Sequence, residues 1–135
     1  MRIHISTTKN TSLVPFNYQQ KQVGTIHKWI GENSIHDRIS LYSFSWLQGG
    51  MKVSDALDFP EGATMFLSFY DDDTMRKVIK TILANPLMFS GMSVKSIDID
   101  ETPTLENREL FYCASPIFIK RKENGRRLHQ TIYLQ

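Results

Sequence analysis

The chain has 135 residues, 41% hydrophobic and 22% charged with mixed sign, which excludes global disorder and fits one ordinary domain with a core. The net charge of +2 gives a weak overall field, and no apolar run is long enough for a transmembrane helix. The single cysteine, Cys113, excludes an internal disulfide framework. Among apolar neighbours it reads as a buried inert thiol, with a nucleophile as the alternative.

Residues Arg2 to Thr7 alternate, Ile3 and Ile5 against Arg2, His4 and Ser6, which predicts a half-buried strand. This start does not read as a signal peptide, and with one cysteine it predicts a cytoplasmic protein. Lys9 to Phe16 is a loop with Pro15. A helix is expected over Tyr18 to Glu32, with Val23, Ile26 and Ile30 at helical spacing and Gly31 ending it. Gly24 within it costs about 1 kcal/mol against alanine and suits a close approach to the helix.

Ser40 to Gln48 is rich in strand formers. Gly49-Gly50 is a turn, and Met51 to Val53 begins a return strand. Leu57 to Gly62 is a loop, and Thr64 to Tyr70 a clear strand. Asp71-Asp72-Asp73-Thr74 then opens a helix, because short acceptors meet the free N–H groups and negative charge suits that terminus. Its apolar stripe is Met75, Val78, Ile79, Ile82 and Leu83, and Asn85-Pro86 ends it. Val94 to Asp100 is a strand with Ile97 and Ile99 inward. After a loop, Leu110 to Arg121 is extended, Glu123-Asn124-Gly125-Arg126 is a hairpin turn, and Leu128 to Leu134 returns.

Strand, helix, strands, helix, strands is the split βαβ pattern. We therefore expect an α+β, ferredoxin-like βαββαβ domain over residues 1–135, its antiparallel sheet carrying both helices on one face, followed by a basic β-hairpin. That fold by itself argues for no function.

Two histidines carry the chemistry. His27 sits near the end of the first helix and His36 in the loop after it, within Ile35-His36-Asp37. Histidine changes charge near neutral pH, so such a pair can supply an acid and a base, as RNA cleavage without a metal requires. The bland alternatives are a core-edge histidine at 27 and a loop histidine paired with Asp37. Lys120, Arg121, Lys122, Arg126 and Arg127 crowd the hairpin, either as a phosphate grip or as a solvated tip. Tyr42, Phe44 and Trp46 share one strand face, which is either a base-stacking platform or simply the core side. No Cys/His set has zinc spacing, so neither metal nor cofactor is expected.

In order, Pro15-Phe16-Asn17-Tyr18-Gln19, Val23-Gly24-Thr25-Ile26-His27-Lys28-Trp29-Ile30, Ile35-His36-Asp37, Phe44-Ser45-Trp46-Leu47, Asn85-Pro86 and Ser115-Pro116-Ile117 resemble segments of the CRISPR-associated endoribonucleases of the RAMP superfamily. Those enzymes cut repeat transcripts into guide RNAs. The resemblance implies a RAMP-type ferredoxin-like fold, catalytic roles for His27 and His36, and cleavage by 2′-oxygen attack on the adjacent phosphorus. Two departures stand out. The family's lysine before the aromatic-serine strand is absent, so either Arg38 takes its role or the role is missing. Family members also carry a second ferredoxin-like domain with a glycine-rich RNA-gripping loop, so this chain reads as the N-terminal half. The implied partner is the CRISPR repeat transcript, held by Arg38 and the hairpin cations, with other CRISPR effector subunits and a homodimer as further partner classes and no membrane. A binding module without catalysis, for RNA or a partner protein, is the alternative. A ferredoxin-like small-molecule sensor is the third reading.

Overall fold

A computed structural model describes residues 1–31, 42–110, 117–123 and 126–132. The chain divides into two compact units, Met1–Thr102 and Pro103–Gln135.

The first unit is built on a four-stranded antiparallel sheet of β1 (Arg2–Thr7), β3 (Tyr42–Phe44), β6 (Thr64–Phe69) and β7 (Val94–Asp100) in the order β3-β6-β1-β7. With α1 (Gln19–Ile30) after β1 and α2 (Asp72–Ala84) after β6, this is the ferredoxin-like arrangement expected from the element order. Ile3 lies opposite Leu67 and Ile5 opposite Met65, so period-2 alternation puts the apolar residues of both central strands on one face. All four are buried, and they join Ile26 and Trp29 of α1 and Met75, Val78 and Ile82 of α2 in one core. Burying side chains of this size stabilises by about 1.5–3 kcal/mol each. His4, Phe66 and Ser68 fall on the opposite face.

Helix ends follow local chemistry. The Asp71 carboxylate accepts the N–H groups of Asp73 (3.3 Å) and Thr74 (3.1 Å), which opens α2 as expected. At the end of α1, Gly31 takes φ +80° and its N–H donates to the His27 carbonyl at 3.0 Å. The two helices are tied where they end: the Trp29 indole N–H donates to the Asn85 carbonyl (3.2 Å), and Lys28 Nζ to that of Leu87.

Several expectations change. Regular pairing of β3 ends at Phe44; Ser45 still donates its N–H to the Phe66 carbonyl (3.1 Å), and beyond it an isolated bridge joins Gln48 to Thr64. Met51–Val53 forms β4 and pairs with β5 (Ala56–Asp58), a stretch whose residues from Leu57 read as loop. Together with β2 (Val14–Pro15) these make a separate sheet, β2-β5-β4. Leu83 is 72% exposed and Ile99 55%, because α2 and the edge strand β7 turn the rims of their apolar faces to solvent. Gly24 is exposed, and a Cβ there would meet open space, so nothing described requires the glycine. By contrast Gly62, at φ +83°, passes against the Thr7 carbonyl where no Cβ fits.

In the second unit β8 (Ile117–Glu123) and β9 (Arg126–Ile132) form an antiparallel hairpin, Glu123 opposite Arg126.

Candidate functional site

His27 lies in the last turn of α1, where helical spacing keeps it beside the buried Ile30 and one turn from Val23. Across from it stands the first residue of β3. His27 Nε2 and the Tyr42 hydroxyl are 3.1 Å apart, with the rings nearly perpendicular at 76°. Tyr42 is fixed from the other side. Its ring stacks on Phe69 of β6, its register partner, at 5.5 Å between centroids, and on Phe44 at 6.3 Å. Offset stacking of this kind is worth about 0.5–1.5 kcal/mol per pair beyond burial. Partial burial pushes the Tyr42 phenol above its ordinary range, so at neutral pH it is uncharged and keeps its proton. The hydroxyl can therefore donate to or accept from His27, according to the imidazole tautomer. A histidine held by a neutral hydroxyl has a defined ring position and can take up or release a proton there.

Tyr42 was expected as a base-stacking or core residue and not as the partner of His27. The two residues are 15 apart in sequence, so no local pattern pairs them. Tyr42 and Phe44 belong to the core side of the sheet, since they pair with Phe69 and Leu67, and this decides against the base-stacking reading for both. Trp46, past the end of β3, is 70% exposed and does not share their surroundings.

His36 and Arg38 lie outside the described residues, as does Cys113. The hairpin register sorts the five basic positions: Lys120 stands opposite His129, Arg121 opposite Leu128, Lys122 opposite Arg127, and Arg126 opposite Glu123. Among the described register pairs, Lys122–Arg127 is the one in which both residues are Lys or Arg. Among the described residues no group of three His, Cys, Asp or Glu residues could hold a metal ion, and no helix is long and apolar enough to cross a membrane. His4 forms a second, separate arrangement on the other side of the sheet. Its Nε2 is 2.7 Å from an Asp100 carboxylate oxygen.

This is a ferredoxin-like domain with an imidazole–phenol pair between its first helix and the edge strand next to it. No family model and no curated protein matches the chain. Solved structures do. A Cas6-related protein from Pyrococcus furiosus superposes with a TM-score of 0.72 at 19% identity, over 98% of this chain and 62% of that one. A CRISPR-associated protein Cas6 matches with a TM-score of 0.69 at 18% identity, and a RAMP protein that binds different RNA substrates with 0.66 at 19%, both over the same shares of the two chains. The chain thus has the ferredoxin-like fold of the CRISPR-associated RAMP proteins and spans less than two thirds of the length of these three.

Proposed function

We propose that this chain is an RNA-processing module of the CRISPR-associated RAMP superfamily and cuts repeat transcripts without a metal. The observation that carries the reading is the His27–Tyr42 contact, a proton-transfer group held in place in a fold shared with Cas6 proteins. In the proposed step a base takes the proton of a ribose 2′-hydroxyl. The 2′-oxygen bonds to phosphorus, the bond from phosphorus to the 5′-oxygen breaks, and an acid protonates that oxygen. The products are a 2′,3′-cyclic phosphate and a 5′-hydroxyl. His27 and His36 are the proposed acid–base pair, each worth about 10²–10⁴-fold. Arg38 and the hairpin cations Lys120, Arg121, Lys122, Arg126 and Arg127 are proposed to hold phosphates.

The test is incubation of the chain with a labelled repeat RNA in EDTA. The expected result is cleavage that leaves a cyclic phosphate. Abolition by the chelator, or a free 3′-hydroxyl on the product, would overturn the mechanism. A second reading, RNA binding without cutting, draws on the RAMP protein that binds different RNA substrates. It is supported if the wild-type chain binds repeat RNA and leaves it uncut.

A further inference from the structure

The two edges of the four-stranded sheet differ. At one edge β3 is three residues long. At the other, β7 runs for seven residues without a proline, and among the described residues it pairs with β1 alone. A long strand with unpaired backbone N–H and C=O groups is a template for another strand, and proteins keep such edges short, interrupted or covered.

Beside this edge, on the helix side, lies an apolar groove of about 330 Å³. Its walls include Ile79, Ile82 and Leu83 of α2 and Ile97 and Ile99 of β7, with Lys95 also lining it. Leu83 is 72% exposed and Ile99 55%, so the outer rim of the groove is apolar surface in water. Apolar surface joined to an unpaired strand edge marks an interaction site.

The charge order along β7 says which strand fits. From Lys95 it reads Lys-Ser-Ile-Asp-Ile-Asp, and Glu101 follows. The cation stands near the start, the carboxylates of Asp98, Asp100 and Glu101 gather toward the end, and all four residues are exposed. A second β7 laid antiparallel brings each Lys95 to the acidic end of the other copy. A parallel one sets like charges side by side, which is destabilising.

Residues directly opposite in an antiparallel pair share a face, which leaves few registers. With the two-fold centre at Ile97, Lys95 falls opposite the apolar Ile99. With the centre at Asp98, Ile97 of each copy falls opposite Ile99 of the other, and Lys95 opposite Glu101. The second register keeps apolar with apolar and cation with anion. Its weak point is Asp98 against Asp98 on the open face, where each also stands opposite His4 of its own chain.

We propose that β7 is a self-association edge: two copies of this chain pair antiparallel through β7 about a two-fold axis at Asp98 and bring their apolar grooves together on one side of the joined sheet. An interface of this kind is satisfied by one partner and ends the growth of the sheet. The proposal is independent of the RNA reading, since it uses neither His27 nor the hairpin cations.

The test is sedimentation velocity of the full chain, without RNA, over a concentration series. We expect a monomer–dimer equilibrium. Ile99→Lys should weaken the dimer about tenfold at an unchanged melting temperature, because the position is exposed and the new charge falls between the two grooves. Lys95→Glu should weaken it about threefold, and adding Glu101→Lys should restore it. Asp98→Asn should tighten it about threefold by removing the like-charge contact. The register is checked by crosslinking in a Cys113→Ser background. Asp98→Cys should give a disulfide-linked dimer under mild oxidation, because opposite Cα atoms lie about 4.5–5.5 Å apart and a disulfide spans about 4.4–6.8 Å. Ser96→Cys should not, because that position is about 13 Å from its own copy along the strands. A wild-type chain that stays monomeric throughout the series would overturn the proposal. So would a dimer that Ile99→Lys leaves intact, or one that crosslinks as well through Ser96→Cys as through Asp98→Cys.

Discussion

The two sides of the four-stranded sheet each carry a histidine, and they differ in what holds it. On the helix side His27 meets a neutral phenol that is stacked in turn on Phe69 and Phe44. On the open side His4 meets the carboxylate of Asp100, with both side chains about half exposed or more. The first pair sits against a packed core, where its position is set by neighbours on several elements. The second lies in water, where an ion pair is worth little, about 0–1 kcal/mol. Residue type therefore says less about role than the partner and the packing around it. A proton-transfer group needs a fixed position, and the stacked Tyr42 phenol supplies one for His27.

The sharpest way to break this comparison is through stability. Leu67 and Ser68 are neighbours on β6 that face opposite sides of the sheet. Leu67→Ala should cost about 2–5 kcal/mol in chemical denaturation, and Ser68→Ala no more than about 0.5 kcal/mol. Equal losses would mean that the open side is covered as well. Next comes activity. His27→Ala should slow cleavage of repeat RNA by about 100-fold with affinity nearly intact, while His4→Ala leaves the cleavage rate unchanged. If His27→Ala lowers only the melting temperature, the residue is a core-edge histidine.

A smaller effect is expected from Tyr42→Phe, which keeps the ring stack and removes the hydroxyl. Losing that hydrogen bond should slow cleavage roughly three- to tenfold, with RNA affinity unchanged. The smallest effect is on pH dependence. Burial raises the Tyr42 phenol, and it raises Tyr18 against a partly opposing bond from the Leu47 N–H. Below the ordinary phenol value of 10.0 both states keep these protons, and nothing is lost. Above it the unfolded chain ionises first, so stability falls as pH rises. Urea midpoints between pH 9 and 11 should fall for the wild-type chain and less steeply for Tyr42→Phe.

Local pattern alone determined β1, β6, α2 and β7. Strict alternation in Arg2 to Thr7, the Asp71 cap and the Met75–Val78–Ile82 stripe each leave one good local solution. The ferredoxin-like order followed from those elements, because a split βαβ chain has few ways to bury one face of a sheet. Tertiary structure decided the rest. Met51–Val53 could pair on either side, and only its contact with Ala56–Asp58 selects the small second sheet. Whether Tyr42 and Phe44 face helices or solvent depends on register with Phe69 and Leu67, which a strand's own alternation does not contain. The His27–Tyr42 contact is of the same kind. It joins a helix end to an edge strand, and no periodicity links positions whose distance is set by how the helix packs across the sheet.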